Sequence, residues 1–318
     1  MSEPRIAPRG PSTREPGVCA VVVSHYPALE LLATLLGALE AQVGRVVVVD
    51  NATPGSAVRE LCEVHHHVEL LPLPENLGVA AALNAGIAHA RAMPRISHVL
   101  LMDQDSVPEA GMVAALKAAL ARLSADAKAA AVGPRFWDPR EDADAPFIRI
   151  RFPFNHRLRC AGDCDAVACD FLITSGSLIP LAVLDEVGGM DDELFIDNVD
   201  LEWCFRAVDK GYALFGVCGA RMRHHHGTER HRVPGLPRGI VVHQPRRLFY
   251  MMRNRVLLYR RAYTPKHWIA QDVPRVLVKL LLFSVLIGPR WRNLRAMLAG
   301  LRAGLRGEAR IPENMSLQ

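Results

Sequence analysis

Two carboxylates one residue apart, Asp103 and Asp105, directly follow an apolar run, residues 99–102. Such a run is typical of a buried strand in a parallel sheet. The polar residues that end it place both carboxylates at the carboxyl end of the strand, where open α/β sheets bind ligands. Side chains two residues apart on an extended chain point the same way. Oxygen ligands so placed suit Mg²⁺ or Mn²⁺, whereas the alternative for this pair is helix capping by Asp105 or Ser106.

Two other predicted strands, residues 18–24 and 45–50, end in the polar residues Ser24 and Asp50. Because parallel strands share one edge at their carboxyl ends, we expect these side chains near the acidic pair. Asp50 could accept a hydrogen bond from a base N–H or a ribose hydroxyl. The sequence lacks G-x-G-x-x-G after its first strand and lacks G-x-x-x-x-G-K-[ST], which argues against a dinucleotide cofactor and a P-loop NTPase. The remaining ligand that fits these strand ends is a nucleoside diphosphate held by a metal.

Three further acidic residues, Asp197, Asp200 and Glu202, lie at the start of a predicted helix, residues 198–210. Asp197 and Asp200 are three positions apart and share a helix face. A carboxylate at a helix start, beside a metal-bound nucleotide, can act as general base toward a hydroxyl group. The alternative interpretation is helix capping and a structural ion pair with Arg206.

The chain of 318 residues is 50% hydrophobic and 22% charged, which is typical of a globular protein with one large or two small domains. Strands that alternate with helices from residue 18 to 133 predict βαβ units and an α/β fold with a parallel sheet. We expect residues 134–161 to be irregular, residues 170–179 to form one strand, and residues 224–245 to be mobile. Residues 1–16 are polar and proline-rich, without the apolar segment of a signal peptide, and are expected to be a disordered tail.

The seven cysteines follow no regular framework and include no C-x-x-C pair. Cys160, Cys164 and Cys169 lie loosely spaced beside His156, so a zinc site is one interpretation. We favour the other, that they are free thiols of a reducing compartment, because the paired spacing of metal ligands is missing.

The C-terminal region combines apolar and basic character. Residues 276–287 are nearly all apolar but include Lys279, and the run is shorter than the roughly 20 residues needed to span a bilayer. Residues 290–310 are amphipathic and basic, so the two segments together predict helices that lie on an anionic membrane surface. The alternative is an ordinary pair of core-packing helices. A nucleic-acid partner is not expected, because the region has few interleaved aromatic residues and no nucleic-acid motif.

The chain contains seven characteristic sequence strings: VVVVDNAT, PENLGVAAALNAGI, LLMDQDS, DFLITSGSLIP, GGMDDELFIDNVDLEWCFRAVDKGY, MRHHHGT and QPRRLFYMMRNRV. Taken in order from residue 18 to 258, they resemble glycosyltransferase family 2, and within it the rhamnosyltransferase branch, which uses dTDP-rhamnose. The resemblance implies a GT-A fold with a Rossmann-like, mostly parallel central sheet, a divalent metal and an inverting mechanism. It implies a GT-A domain over residues 17–245 and a C-terminal helical region, residues 246–318.

The resemblance also implies roles for individual residues. The nucleotide sugar would be bound by Ser24, Asp50, Asn76, Asp103 and Arg253. The Mg²⁺ or Mn²⁺ ion would be held by Asp103, Asp105 and His224, the last of which begins a His-x-x-Gly element. The catalytic base would be Asp200, with Asp197 and Glu202 as alternatives, since Val199 stands where many relatives have a glutamate.

The activity so implied is inverting transfer of rhamnose from dTDP-rhamnose to a polysaccharide or lipid-linked acceptor. The enzyme would be cytoplasmic and peripheral at the inner leaflet of the inner membrane. Two alternatives stay open: another donor such as a UDP-hexose, and a catalytically silent nucleotide-sugar-binding protein. The acidic cluster at Asp197, Asp200 and Glu202 argues against the silent protein, which would need no base.

Overall fold

The computed structural model describes residues 14–138, 143–162, 164–224, 230–233 and 236–308. The strands of these residues are β1 (Glu15–Ser24), β2 (Val43–Asp50), β3 (Val68–Pro72), β4 (His98–Asp103), β5 (Ser106–Pro108), β6 (Ala129–Asp138), β7 (Ala143–Asp144), β8 (Phe147–Arg149), β9 (His156–Leu158), β10 (Ala166–Cys169), β11 (Ser177–Pro180), β12 (Ala213–His224), β13 (Arg230–Val233) and β14 (Leu236–Val241).

The helices are α1 (Leu29–Glu40), α2 (Ala57–Glu63), α3 (Val79–Ala92), α4 (Met112–Ala127), α5 (Leu181–Val187), α6 (Val199–Asp209), α7 (Pro245–Tyr259), α8 (Lys266–Val285) and α9 (Arg290–Arg306), with a short 3-10 helix at Asp192–Leu194. Among the residues described, no helix combines the length and apolar character needed to cross a bilayer.

The central sheet runs in the order β10-β12-β6-β11-β4-β1-β2-β3. Strands β4, β1, β2 and β3 are mutually parallel, whereas β11 runs antiparallel to β4 and β6. In the register of these strands, Ser24 lies opposite Asp50 and Val23 lies opposite Asp103. The predicted α/β fold with a mostly parallel sheet is confirmed, and the ends of β1, β2 and β4 meet at one edge.

Helices cover both faces of the sheet, which explains why its strands are continuous apolar runs. Val47 of β2 packs in one core cluster with Leu83 of α3 and Trp203 of α6. The next residue, Val48, faces the opposite way and packs in a second cluster with Leu36 of α1. The βαβ units therefore hold the strand ends rigidly between two packed layers.

The C-terminal helices pack on each other and on the sheet domain. Helix α9 lies very close to α7. The lack of a side chain at Gly300 permits this, since a Cβ atom there would lie 2.2 Å from the carbonyl oxygen of Phe249. Helix α7 is tied to the loop before α6 by Asn254, whose Nδ2 donates to the carbonyls of Leu194, Ile196 and Asp197 at 2.7–2.8 Å. Helix α7 is thus part of the same packed body as the strand edge.

Several expectations differ from the structure. The segment expected as one strand over residues 170–179 is strand only in β11, from residue 177; residues 170–176 turn. The turn is fixed by Gly176, whose φ of +84° favours glycine, and by Ser177, whose hydroxyl donates to the Ile173 carbonyl. The apolar residues of this turn pack into the core as a strand would, which is why the pattern misled.

Other segments are more regular than expected. The region 134–161 contains the end of β6, the short β7, and the antiparallel pair β8–β9. Within the region 224–245, the described residues form the antiparallel pair β13–β14 and the start of α7, which begins at Pro245. Strand β1 begins at Glu15, inside the expected tail, and residues 1–13 lie outside the described residues.

The expectation of a free thiol is wrong for Cys160. Cys160 and Cys218 form a disulfide that joins the loop after β9 to β12. Cys164 is free and exposed, and Cys169 is free and buried. The three cysteines considered for a zinc site are thus separated in role, one in a disulfide and two as thiols.

Candidate active site

The carboxylate of Asp50 is fixed at the end of β2. It is 8% exposed, and its Oδ1 accepts hydrogen bonds at 3.3 Å from the fully buried Ser24 hydroxyl and from the Thr53 amide. Both donors come from the strand edge, one from β1 and one from the turn after β2. A carboxylate held in this way is oriented to accept a further hydrogen bond from a ligand.

Amide side chains fix the loops beside Asp50. Asn51 Nδ2 donates to Asn76 Oδ1 at 2.9 Å, and Asn76 Oδ1 also accepts from the Gly78 amide at 3.0 Å. His25 lies between the same two asparagines, with Nδ1 2.8 Å from the Asn51 carbonyl and Nε2 3.1 Å from Asn76 Nδ2. These contacts require Nδ1 to donate and Nε2 to accept. Asn76, expected to bind the nucleotide sugar, is therefore a loop-fixing side chain in the structure, and its ligand role stays a prediction.

The acidic pair lies at the carboxyl end of β4, as expected. Asp103 ends the strand, and its amide donates to the Ser175 hydroxyl at 3.1 Å. Asp105 lies in the turn that follows, so the extended geometry expected to align the two side chains ends at Asp103. Gln104 between them clamps His25, accepting from its amide at 2.7 Å and donating to its carbonyl at 3.2 Å. The turn is therefore anchored on the loop after β1.

Strand β5, which follows the acidic turn, pairs with the end of β12, where the backbone of His224 lies opposite Ser106. The backbone thus brings His224 to the strand next to the acidic pair. Its side chain lies outside the described residues, so its metal-binding role stays a prediction.

Negative charge is concentrated at this edge. The pKa of Asp103 is raised to about 7, mainly by burial and also by the carboxylates of Asp105 and Asp200, while Arg247 opposes the rise. The charges of Asp105 and Asp200 therefore act on Asp103, so carboxylates from two separate segments lie within electrostatic range of one another at this edge. The sequence predicted this convergence from the strand ends and the acidic helix start.

Asp200 lies in the first turn of helix α6, which follows an unusual backbone segment. The two residues before the helix, Asp197 and Asn198, have positive φ angles of 66° and 63°. Such angles are uncommon outside glycine and are typical of functional sites. Asp200 Oδ1 accepts from the Leu201 amide at 2.8 Å. Burial raises the pKa of Asp200 to about 6, while the Leu201 amide opposes and the Asp197 carboxylate adds to the rise.

The two alternative bases are occupied by arginines. Asp197 receives two hydrogen bonds from Arg247 of α7, Nε to Oδ2 at 3.0 Å and Nη2 to Oδ1 at 2.9 Å. Glu202 is fully buried and accepts from Arg206 Nε at 2.8 Å and from the Tyr263 hydroxyl. Glu202 thus forms the structural ion pair with Arg206 that their spacing allowed. Of the three acidic residues, Asp200 is the one whose charge raises the pKa of Asp103.

Arg253, expected to contact the nucleotide sugar, is fully buried within α7. Its guanidinium donates to the Glu193 carbonyl and lies 5.3 Å from the centre of the Tyr250 ring. Burial lowers its pKa. The α7 arginine beside the acidic groups is Arg247, which was not predicted from the sequence. The string QPRRLFYMMRNRV contains both residues, but their six-residue spacing places them on different helix faces, and only packing shows which face meets the site.

The donor set at this edge fits a divalent cation. Within the described ranges, no group of three or more His, Cys, Asp or Glu side chains is already arranged as a complete metal site. Asp103 and Asp105 nevertheless supply hard oxygen ligands. Burial and the charge of Asp105 both raise the pKa of Asp103, and a bound cation would offset both effects.

A pocket lined mainly by apolar side chains lies beside the acidic edge. Its lining includes Phe136, Phe147, Phe171 and Leu172. Ser175, whose hydroxyl accepts from the Asp103 amide, also lines it. The pocket therefore adjoins the acidic pair.

Two comparisons with sequences bear on this arrangement. The family model described as glycosyl transferase family 2 matches residues 20–178. The chain is 28% identical over 291 residues to the dTDP-rhamnosyl transferase RfbF of Shigella flexneri. The alignment covers 91% of this chain and 95% of that protein. The chain is also 26% identical over 235 residues to a pre-mycofactocin glycosyltransferase of Mycobacterium tuberculosis, covering 72% of this chain and 46% of that one.

Solved structures show the same fold. A crystal structure of GalNAc-T7 with UDP, GalNAc and Mn²⁺ matches with a TM-score of 0.58 at 13% identity, covering 91% of this chain and 56% of that one. A structure of S. aureus TarS in complex with UDP matches with a TM-score of 0.52 at 14% identity, covering 91% of each chain. The GT-A fold expected from the motifs is thus confirmed, and the match of the family model over residues 20–178 shows that the chain belongs to glycosyl transferase family 2.

Proposed function

We propose that this glycosyltransferase transfers rhamnose from dTDP-rhamnose, with inversion, to a hydroxyl of a glycan or lipid-linked acceptor. The observation that carries the proposal is the register of β1, β2 and β4, which puts Asp103 at the same sheet edge as the fixed carboxylate of Asp50, where the charges of Asp105 and Asp200 also act on Asp103. The choice of donor is supported by the similarity to a dTDP-rhamnosyl transferase along nearly the whole chain.

The donor would lie along the ends of β1, β2 and β4. Asp50, whose Oδ1 is held by Ser24 and Thr53, would accept a hydrogen bond from the base through Oδ2. The diphosphate would then reach the acidic turn after β4. We assign to Arg247 the positive charge near the diphosphate, because it already influences Asp103, and we withdraw that role from the buried Arg253.

Asp103 and Asp105, with His224, would hold Mg²⁺ or Mn²⁺. When bound, the cation would supply charge neutralisation for the departing diphosphate. The residues themselves orient the site, since the Ser175 hydroxyl and the Gln104 clamp fix the turn that carries both carboxylates.

Asp200 would act as the base. Its carboxylate would accept the proton of the acceptor hydroxyl while that oxygen bonds to the anomeric carbon. The bond from the anomeric carbon to the diphosphate breaks on the opposite face, and its electron pair leaves with the diphosphate. A pKa of about 6 leaves Asp200 mostly ionised at neutral pH and still basic enough to take a proton.

The cellular setting is also a proposal. We infer that the enzyme works at the cytoplasmic face of the inner membrane, as the basic and amphipathic C-terminal region favours. We place the limit of the catalytic unit after α7 rather than at residue 245, because α7 contributes Arg247 and positions the loop before α6 through Asn254.

The test is a donor-hydrolysis screen across dTDP- and UDP-sugars with Mn²⁺ present. We expect dTDP-rhamnose to be turned over in preference to UDP-hexoses, and the turnover to stop in excess chelator. The Asp105→Ala variant should lose turnover while its unfolding midpoint stays near that of the parent. A preference for a UDP-hexose would overturn the donor, and full turnover in chelator would overturn the metal.

A further inference from the structure

Exposed apolar side chains are concentrated in the C-terminal helices. Of the sixteen large hydrophobic residues that are exposed in the described part of the chain, nine lie between residues 273 and 305. Isolated exposed hydrophobic residues are ordinary, but clusters mark interaction sites. We name these nine the C-terminal surface: Val273, Leu277, Val278, Leu281, Val285, Leu286, Trp291, Leu298 and Leu305.

Helix α9 has two different faces. Its inner face carries small residues such as Gly300 and Gly304, which pack against the backbone of α7. Its outer face carries Trp291, Leu298 and Leu305, which are 76%, 52% and 69% exposed and are spaced seven residues apart. Two exposed arginines, also seven residues apart, lie between them along the same face: Arg295 and Arg302.

The charge of these helices has one sign. Helix α9 contains five arginines and no acidic residue. The acidic residue of α8, Asp272, is buried and lies 2.9 Å from Arg255, so it does not offset the outward charge. Glu308, just after α9, lies 3.5 Å from Arg306 at the end of the helix. The outer face of α9 is therefore apolar and basic at once.

We propose that the C-terminal surface binds an anionic lipid bilayer. Tryptophan and leucine would enter the boundary between headgroups and acyl chains, and the arginines between them would contact lipid phosphates. A second copy of the chain fits less well, because it would bring arginine face against arginine face. A nucleic acid would pair with the arginines but leave the leucines in water.

The packing of α9 on α7 relates the C-terminal surface to the candidate active site. The α9 helix that would touch lipid is packed on α7, and α7 carries Arg247 beside Asp197. A docked enzyme would thus hold its acceptor site a short distance from the bilayer. This deepens the proposed function by favouring a lipid-linked acceptor, and in that respect it rests on the proposed function; the docking itself does not.

The test is sedimentation of the full chain with vesicles at low salt. We expect binding to vesicles of phosphatidylglycerol and phosphatidylcholine, little binding to phosphatidylcholine alone, and release as salt is raised. The variant Arg295→Gln, Arg302→Gln should bind about 5-fold less per arginine removed. The variant Trp291→Ser, Leu298→Ser, Leu305→Ser should lose most of the binding.

Matched controls come from the opposite end of the chain. Val64→Ser removes a valine that is 71% exposed, and Arg59→Gln removes an exposed arginine of α2, so both should leave vesicle binding unchanged. Donor hydrolysis without vesicles is measured for every variant and should not change. Absence of binding to anionic vesicles, equal binding to neutral ones, or self-association that the apolar variant abolishes would each overturn the inference. Vesicle binding without donor hydrolysis would instead count against the proposed function alone.

Discussion

At the scale of single residues, environment separates carboxylates that the sequence leaves equivalent. Asp197, Asp200 and Glu202 lie within six positions, and spacing alone gives each a possible role as base. Packing distinguishes them, because Arg247 pairs with Asp197 and Arg206 pairs with Glu202, and this is the ground on which we propose Asp200 as the base. The same applies to Arg247 and Arg253, which share one motif but face different surroundings. Residue types were predictable from sequence, whereas partners that come from distant segments were not.

The change Asp200→Asn keeps size and most hydrogen bonding but removes the proton acceptor. We expect turnover of the acceptor to fall by about 10²–10⁴-fold, which is the usual contribution of a general base. Donor affinity should change far less, because the base acts on the acceptor. The measurement is steady-state turnover beside dTDP-rhamnose affinity. In the parent enzyme at saturating Mn²⁺, which would keep Asp103 ionised, turnover should also fall as pH drops below about 6, where Asp200 becomes protonated. Near-parent turnover in Asp200→Asn would remove Asp200 from the role.

The change Glu202→Gln tests the opposite role. Glu202 is fully buried and neutralises Arg206, which also donates to the Val187 and Gly189 carbonyls. Loss of the charge leaves Arg206 with a weaker partner, so we expect the free energy of unfolding to fall by about 1–3 kcal/mol. Urea unfolding of Glu202→Gln beside Asp200→Asn checks this, and only the former should lower the midpoint clearly. An unchanged midpoint would show that the pair contributes little.

At the scale of elements, the βαβ half of the chain was predictable because local pattern and tertiary burial agree there. Strands β1, β2 and β4 are buried on both faces, so their sequence is continuously apolar and unambiguous. The turn at residues 170–176 was not predictable, because its apolar side chains pack like those of a strand. Gly176 and the Ser177 hydroxyl nevertheless bend the backbone there. The approach of α9 to α7 was equally hidden, because it depends on which glycines meet which backbone.

The change Gly300→Ala tests that approach. A Cβ atom at this position would lie 2.2 Å from the Phe249 carbonyl oxygen, so α9 must move away from α7. We expect the free energy of unfolding to fall by about 1–3 kcal/mol, in spite of the better helix propensity of alanine. The matched control is Gly37→Ala in α1, where no heavy atom lies within 4 Å of the added Cβ and stability should rise slightly. Equal effects in thermal unfolding would contradict the close packing.

At the scale of the whole molecule, the C-terminal helices have an outer side and an inner side with different roles. Their outer side is the C-terminal surface, and their inner side supports the acidic site through α7. The Phe195 ring, just before Asp197, stacks on Tyr250 of α7 with ring centres 4.7 Å apart, and both belong to a cluster with Ala296 of α9. The resemblance implied a catalytic domain that ends at residue 245 and a C-terminal helical region that follows it. The packing instead continues from α9 through α7 to the loop that precedes Asp200.

Removal of residues 290–318 should therefore damage the site as well as any membrane contact. It would expose Phe249 and Met252 of α7, both fully buried against α9 and its neighbours. We expect a lower unfolding midpoint and a loss of most donor hydrolysis in solution, measured by thermal unfolding and donor turnover without vesicles. The control is Trp291→Ser, Leu298→Ser, Leu305→Ser, which alters the outer face and keeps the inner one, so both readouts should match the parent. If the truncated chain hydrolyses donor at the parental rate, α9 is dispensable to the site and the packing from α9 to Asp200 has no catalytic consequence.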